Sequence, residues 1–428
     1  MIANSVKNAW NATDLRKKII YTLLMFLIFR IGAHIPTPFI DRDRLEQLFG
    51  SGVMMNFMDT ISGGSFKSLS VFALSITPYI TASIIFSLLQ VVIPSLERLA
   101  KEGDYGRKKI TQYTRYATVG LGFIQAFGLT FGVRDAVIIP SPELRWPIYL
   151  LCALVLTAGT MFLMWLGEAI TEKGVGNGIS LIIFAGIVSR VPSAITSLWD
   201  MLRVGEVNLL SIIGLILIVI FITAGVIYVQ EGQRRVSVQY AKRVVGRRVY
   251  GGQSSHIPLK VNQAGVIPVI FAISLLALPQ TISTWAPTSG FAQFVGKWFS
   301  MNGQLTSIPY LLVYGVLIIF FTYFYTSITF NPSDVAENLK KYGGFIPGLR
   351  PGRPTAEYLS KILNRITLAG GVFLALIAVL PTLVIGLTGL KNIYFGGTSL
   401  LIVVGVALET MKQIESQLMA RHYQGFMK

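Results

Sequence analysis

Cysteine is almost absent from this chain. Cys152 stands alone in an apolar run, which excludes a disulfide framework and a thiolate metal cluster. Histidine is nearly as scarce: His34, His256 and His422 lie too far apart in sequence to give metal-ligand spacing. Charge is also thin. Only 13% of residues are charged, against about 25% in an ordinary soluble domain. Recognisable catalytic motifs are missing too, with no HExxH zinc helix and no Walker lysine loop. Gly174-Val175-Gly176-Asn177-Gly178 lacks the third glycine of GxGxxG, because Ile179 follows. It reads instead as a turn that lets a helix start close to neighbouring backbone. Together these absences argue against an enzyme and imply neither metal nor cofactor.

What the chain has in abundance is apolar sequence, 53% of its 428 residues. A bilayer-crossing helix needs about 20 mostly apolar residues. Ten stretches qualify as candidates: Ile19–Ile35, Ser70–Ile93, Tyr113–Val133, Trp146–Leu166, Ile179–Ile195, Leu209–Val229, Ala264–Ile282, Ile308–Thr329, Ile366–Leu387 and Ile393–Met411. The expected fold is an all-α polytopic membrane protein. No small-residue cleavage site follows a short apolar core at the N-terminus, so the first span reads as retained. Arg30, His34 and Glu409 mark span ends, and the scarcity of carboxylates and histidines at mid-membrane disfavours a proton- or ion-coupled carrier.

The 37 Lys and Arg outnumber the 20 Asp and Glu, for a net charge of +17. The excess is one-sided. With each span-end cation counted with its adjoining loop, 27 of the 37 fall on the side that holds both termini. The positive-inside rule makes that side cytoplasmic. The loop between spans four and five, with Glu168 and Glu172 against Lys173, is the weak point of the count.

Ten spans divide as five plus five, residues 1–205 and 206–428, and an odd number per half inverts the second half. Spans two and seven correspond, and each carries a proline, Pro78 and Pro268. Interrupted spans at matching positions point to a functional midline. Span two also scatters hydroxyls along its length at Ser75, Thr77, Thr81, Ser83 and Ser87. Two readings stay open for it: a proline-kinked helix inside a bundle, or a pore wall. Isoleucine recurs at comparable depth, at Ile76, Ile80, Ile183, Ile270 and Ile402. Such residues are common lipid-facing ballast, and a ring of stiff β-branched side chains also closes a narrow waist by dewetting.

Two long basic loops lie on the cytoplasmic side. Glu231–Lys260 holds Arg234, Arg235, Arg243, Arg247 and Arg248, with Val236, Val238 and Tyr240 alternating with polar neighbours as in a hairpin. Asn331–Arg365 holds a turn in which Pro347 and Pro351 flank Arg350. Such loops are either topology signals alone or docking surfaces for RNA phosphates or an acidic partner.

Several segments, in order along nearly the whole chain, resemble the bacterial SecY family, the channel subunits of the Sec protein translocase. They include Ile76-Thr77-Pro78-Tyr79-Ile80-Thr81-Ala82-Ser83, Gly176-Asn177-Gly178-Ile179-Ser180 and Glu231-Gly232-Gln233-Arg234-Arg235. Lys260 to Pro268, Pro347 to Gly352 and Gly397 to Ile402 continue the match. The resemblance implies two five-helix halves around an hourglass pore, a passive path for unfolded polypeptide. The five isoleucines above would form its ring. Asn56, Phe57, Met58, Asp59, Thr60, Ile61, Ser62, Gly63, Gly64 and Ser65 would form a plug, a weak helix with a glycine hinge that suggests loose, local packing. Ser87 and Asn262 would be polar positions of a lateral gate formed by spans two, three, seven and eight. The implied partners are SecE, SecG, the motor ATPase SecA, the ribosome, signal peptides and nascent or preprotein chains. Arg350 would serve SecA, and the implied location is the plasma membrane. The inverted repeat alone also fits a secondary transporter of a small solute.

Overall fold

The computed structural model describes residues 12–49, 59, 62–205, 208–240, 243–245, 248–250, 254–285, 289–298, 308–388 and 397–426. In chain order its helices are α1 (Thr13–Gly32), α2 (Arg42–Phe49), α3 (Thr77–Val92), α4 (Pro94–Lys101), α5 (Asp104–Gly132), α6 (Arg145–Lys173), α7 (Gly178–Val188) and α8 (Val191–Val204). They continue as α9 (Leu209–Glu231), α10 (Ile267–Trp285), α11 (Gly290–Trp298), α12 (Ile308–Thr329), α13 (Pro332–Lys341), α14 (Arg353–Thr388) and α15 (Gly397–Phe426). Each of the ten apolar stretches falls on one of these helices or on a consecutive pair. Among the described residues, five helical stretches are long and apolar enough to cross a bilayer by length and composition alone. A sixth is added if α3 and α4, bent by 101°, count as one. α1 fails that count because Arg16, Lys17, Lys18 and Arg30 interrupt it.

The prolines do not do what the sequence suggests. Pro78 lies in the first turn of α3, and Pro268 is the second residue of α10. A first-turn proline costs no hydrogen bond, because that amide has no partner inside the helix anyway. Pro78 and Pro268 therefore open their spans and do not kink them, and the reading of span two as a kinked helix falls. Ser70 to Ile76 precede α3 as turns. A second proline of span seven, Pro279, sits inside α10.

Glycine lets the helices approach closely at the entry to α7. Asn177 caps α7 by accepting from Ile179 N and Ser180 N at 3.1 and 3.3 Å. Thr171 Oγ1 accepts from Gly178 N at 2.9 Å. A Cβ on Gly178 would collide with the Gly167 carbonyl, so only glycine fits there. Glu168 and Glu172, expected in a loop, are the last turns of α6. Glu168 forms a two-point pair with Arg115 of α5, at 2.9 and 2.7 Å.

A single large core runs between the two halves. α10 packs against α3 and α5, and α15 packs against α7. Outside this bundle lies a small sheet. β1 (Gln233–Tyr240) pairs antiparallel with β4 (Ser254–Lys260), and Val236 faces Ile257. β5 (Gly344–Phe345) adds to the other edge of β1, Gln239 to Phe345. β2 (Arg243–Val245) and β3 (Arg248–Tyr250) make a separate two-stranded hairpin. Val236 and Val238 are buried against Leu339, Ile346, Leu359 and Ile362, while Arg234 and Arg235 face solvent. The alternation read from the sequence is thus real, and it belongs to a sheet that joins both long loops.

Candidate functional site: the waist and its two mouths

Four of the five candidate ring residues meet. Ile80 from α3, Ile183 from α7, Ile270 from α10 and Ile402 from α15 line one void of about 20 Å³, together with Thr77, Ile273, Ser274 and Ala277. A water needs roughly 10–15 Å³ of such space and two to four polar partners. This void has room for about one water and offers it few partners. Ile76, the fifth candidate, is fully buried at the start of α3, where its carbonyl accepts from Ile80 N at 3.1 Å. Branched side chains from four helices in both halves therefore converge on one constriction. Sequence reasoning did not single out Ile273, Ser274 and Ala277, which follow Ile270 along the same face of α10.

A separate cavity of about 510 Å³, lined largely by polar residues, lies at the start of α10. Lys260, Asn262, Gln263, Tyr325, Glu409 and Lys412 are among its lining. Asn262 is buried, and its Nδ2 donates to Gly265 O at 2.9 Å, bracing a turn in which Gly265 has a φ of +61°. Its Oδ1 and the Nε2 of Gln230 are buried without a hydrogen-bond partner among the described residues. Lys412 Nζ pairs with Glu231 Oε1 at 3.0 Å at the cavity edge. Ser87 donates to Ser83 O at 2.8 Å within α3. Among the described residues no hydrogen bond joins Ser87 of α3 to Asn262, which lies in the turn before α10, although α3 and α10 pack together.

The candidate plug is described in part. Asn56, Phe57, Met58, Thr60 and Ile61 fall outside the described residues, while Asp59 and Ser62 to Ser65 are placed. The expectation of loose, local packing is wrong for these. Asp59 is fully buried and pairs with Arg190. Gly63 O accepts from Arg30 Nη1 at 2.8 Å. Sequence reasoning passed over Arg190, although an arginine inside an apolar stretch is itself a signal.

The basic positions divide. Arg234 and Arg235 are exposed on β1; Arg243 and Arg248 lie in β2 and β3, and Arg247 lies outside the described residues. Arg350 is exposed, and its carbonyl accepts from Thr355 Oγ1 at 2.9 Å. Gly348 and Gly352, at φ +82° and +105°, shape the turn that presents it.

Comparison with known proteins bears on this geometry. A family model described as SecY matches residues 70–411. Protein translocase subunit SecY of Halalkalibacterium halodurans is 50% identical, over 99% of each chain. The SecY subunits of Bacillus subtilis and Thermotoga maritima are 47% and 45% identical, over 99% of this chain and 99% and 97% of theirs. In fold the chain is similar to a solved protein-conducting channel, with a TM-score of 0.68 at 19% identity, covering 94% of this chain and 92% of that one. It is also similar to Sec61 of the canine ribosome–channel complex, with a TM-score of 0.63, covering the same shares. The chain belongs to the SecY family of protein-translocating channels.

Proposed function

We propose that the chain is a passive, gated polypeptide channel of the plasma membrane, with both termini cytoplasmic, that does no covalent chemistry itself. One observation carries this reading: Ile80, Ile183, Ile270 and Ile402 converge on a single tight void between two halves of the chain. The void is the closed waist, and Ile76 supports the ring from one turn before Ile80. Residues 1–205 and 206–428 are the halves that part around it. The segment 56–65 plugs the outer side. Sideways release of hydrophobic segments occurs between α3 and α10, with Ser87 and Asn262 as polar positions of that gate. The 510 Å³ cavity is the cytoplasmic mouth.

Driving force comes from outside the chain, from SecA hydrolysing ATP or from the translating ribosome. SecE and SecG complete the membrane assembly, and signal peptides open it. Exposed Arg234, Arg235 and Arg350 support docking at the cytoplasmic sheet and turn. Arg243, Arg247 and Arg248 add the ribosomal RNA contact, a salt-sensitive term because neutralised phosphates release counterions. A solved Sec61 channel in complex with the ribosome supports that route.

The test is reconstitution of the full chain with SecE and SecG in vesicles. Addition of SecA and ATP should drive a secretory preprotein inside. Arg350→Glu should abolish that transport while leaving insertion and SecE binding intact. Unimpaired SecA-driven transport by the variant would remove Arg350 from the docking role. Uptake of a small solute on an ion gradient, with no preprotein transport, would overturn the channel reading itself.

A further inference from the structure

Two arginines stand where apolar spans were expected. Arg30 lies in the last turn of α1, and Arg190 immediately precedes α8. Both turn to the described end of the plug segment. Arg190 pairs with the buried carboxylate of Asp59, whose Oδ1 also accepts from Lys67 N at 2.8 Å. Arg30 Nη1 donates to Gly63 O at 2.8 Å and to Ser189 Oγ at 3.3 Å. Ser189 in turn donates to Gly186 O at 2.7 Å, which fixes the hydroxyl that Arg30 uses. Gly63, at φ +68°, comes so close that a Cβ would lie 3.0 Å from Ser189 Oγ and 3.1 Å from Gly186 Cα.

The charge arithmetic of this cluster is unusual. Two guanidiniums from distant parts of the chain reach the same short segment, Arg30 at Gly63 O and Arg190 at Asp59 and beside Gly64. One carboxylate and one backbone carbonyl of the plug segment answer them, and Ser189 Oγ is a further acceptor for Arg30 outside it. Withdrawing that segment removes the carboxylate and the carbonyl together and leaves Arg30 the Ser189 hydroxyl. It also separates a buried carboxylate from its cation, and an uncompensated buried charge is strongly unfavourable. The hold on the plug is therefore directional and electrostatic, where apolar area alone would have given a graded, slippery one.

We propose that Arg30 and Arg190 are positioning residues of a charge latch, with Asp59 as its counter-ion, that sets how much of the channel rests closed. The proposal rests on the reading of residues 56–65 as the plug, and the test separates the two. The full chain, assembled with its partner subunits, is placed in planar bilayers and its resting ion conductance is measured without substrate. Asp59→Asn and Arg190→Gln should each raise that conductance about tenfold, one decade in the closed-to-open ratio. Arg30→Gln, which loses a hydrogen bond to a neutral carbonyl, should raise it less. The exchange of partners, Asp59→Arg with Arg190→Asp, should return it toward the parent value, a rescue that a merely structural role would not give. Should the Asp59 variants fail to assemble, Arg190→Lys against Arg190→Gln decides, because lysine keeps the charge and should leak less. Equal leak from those two, or no leak from the single variants while deletion of residues 56–65 leaks, overturns the latch and spares the plug. A deletion that stays closed overturns the plug reading instead.

Discussion

The waist and the larger cavity share one run of chain, from Asn262 to Ala277, yet they differ in width and in the polarity of their linings. Asn262 to Ile267 line a polar space of about 510 Å³, and Ile270, Ile273, Ser274 and Ala277 line a mostly apolar one of about 20 Å³. One helical turn separates the two linings. In the wide space, water satisfies amides and charges at little cost. In the narrow one, branched side chains from four helices leave room for about one water, and a polar group there has few partners. On the proposed reading, a single apolar layer seals the path without a thick barrier, provided its side chains are stiff.

The comparison is broken most severely by making the waist polar. Ile80→Asn or Ile270→Asn replaces apolar contact worth roughly 1.5–3 kcal/mol with an amide that holds water. A gating equilibrium of a few kcal/mol is shifted substantially by that amount. Resting conductance should rise about tenfold or more, and a reporter whose signal peptide carries a charge in its apolar core should be exported. If both measurements match the parent protein, these isoleucines do not seal the path.

A change on the wet side should act differently. Asn262→Ala removes the Nδ2 bond to Gly265 O and leaves that carbonyl without the partner it has now. The local cost is about 1 kcal/mol. Transport should slow severalfold while resting conductance stays at the parent level, because the seal lies elsewhere. A leak from this variant as large as that from Ile270→Asn would erase the distinction between the two spaces.

The smallest effect should come from the cavity edge. Glu231 and Lys412 are about half exposed, so their pair is worth about 0.2–1 kcal/mol and is screened by salt. Lys412→Ala should change neither conductance nor transport by more than about twofold. A larger loss, insensitive to salt, would place Lys412 in direct contact with the passing chain.

Much of the molecule was legible in its sequence, because membrane spans are written in composition. The ten apolar stretches, the alternation of Val236 and Val238, and the isoleucine positions all follow from periodicity or from motif. The prolines misled, since sequence alone does not show whether a proline sits in a helix or at its first turn. Pro78 and Pro268 both sit at the start. Loop-like glutamates misled for a related reason: α6 runs on to Lys173, so Glu168 is helical and its carboxylate reaches Arg115 on the neighbouring helix. The tie between Asp59 and Arg190 was invisible because it joins residues from segments far apart in the chain. No local rule pairs them; only the fold brings a lone arginine in an apolar stretch to a lone buried acid.

The small sheet outside the helix bundle has a mechanical meaning. β5 comes from the loop after α12, and β1 and β4 come from the loop after α9, so backbone hydrogen bonds rivet two separate arms into one sheet. Two arms that hung free would each yield to a pulling partner on its own. Riveted, they move as a lever: force applied at the Arg350 turn reaches the base of α10 through β4, and torque on β1 reaches α14 through the apolar packing of Val238 against Leu359 and Ile362.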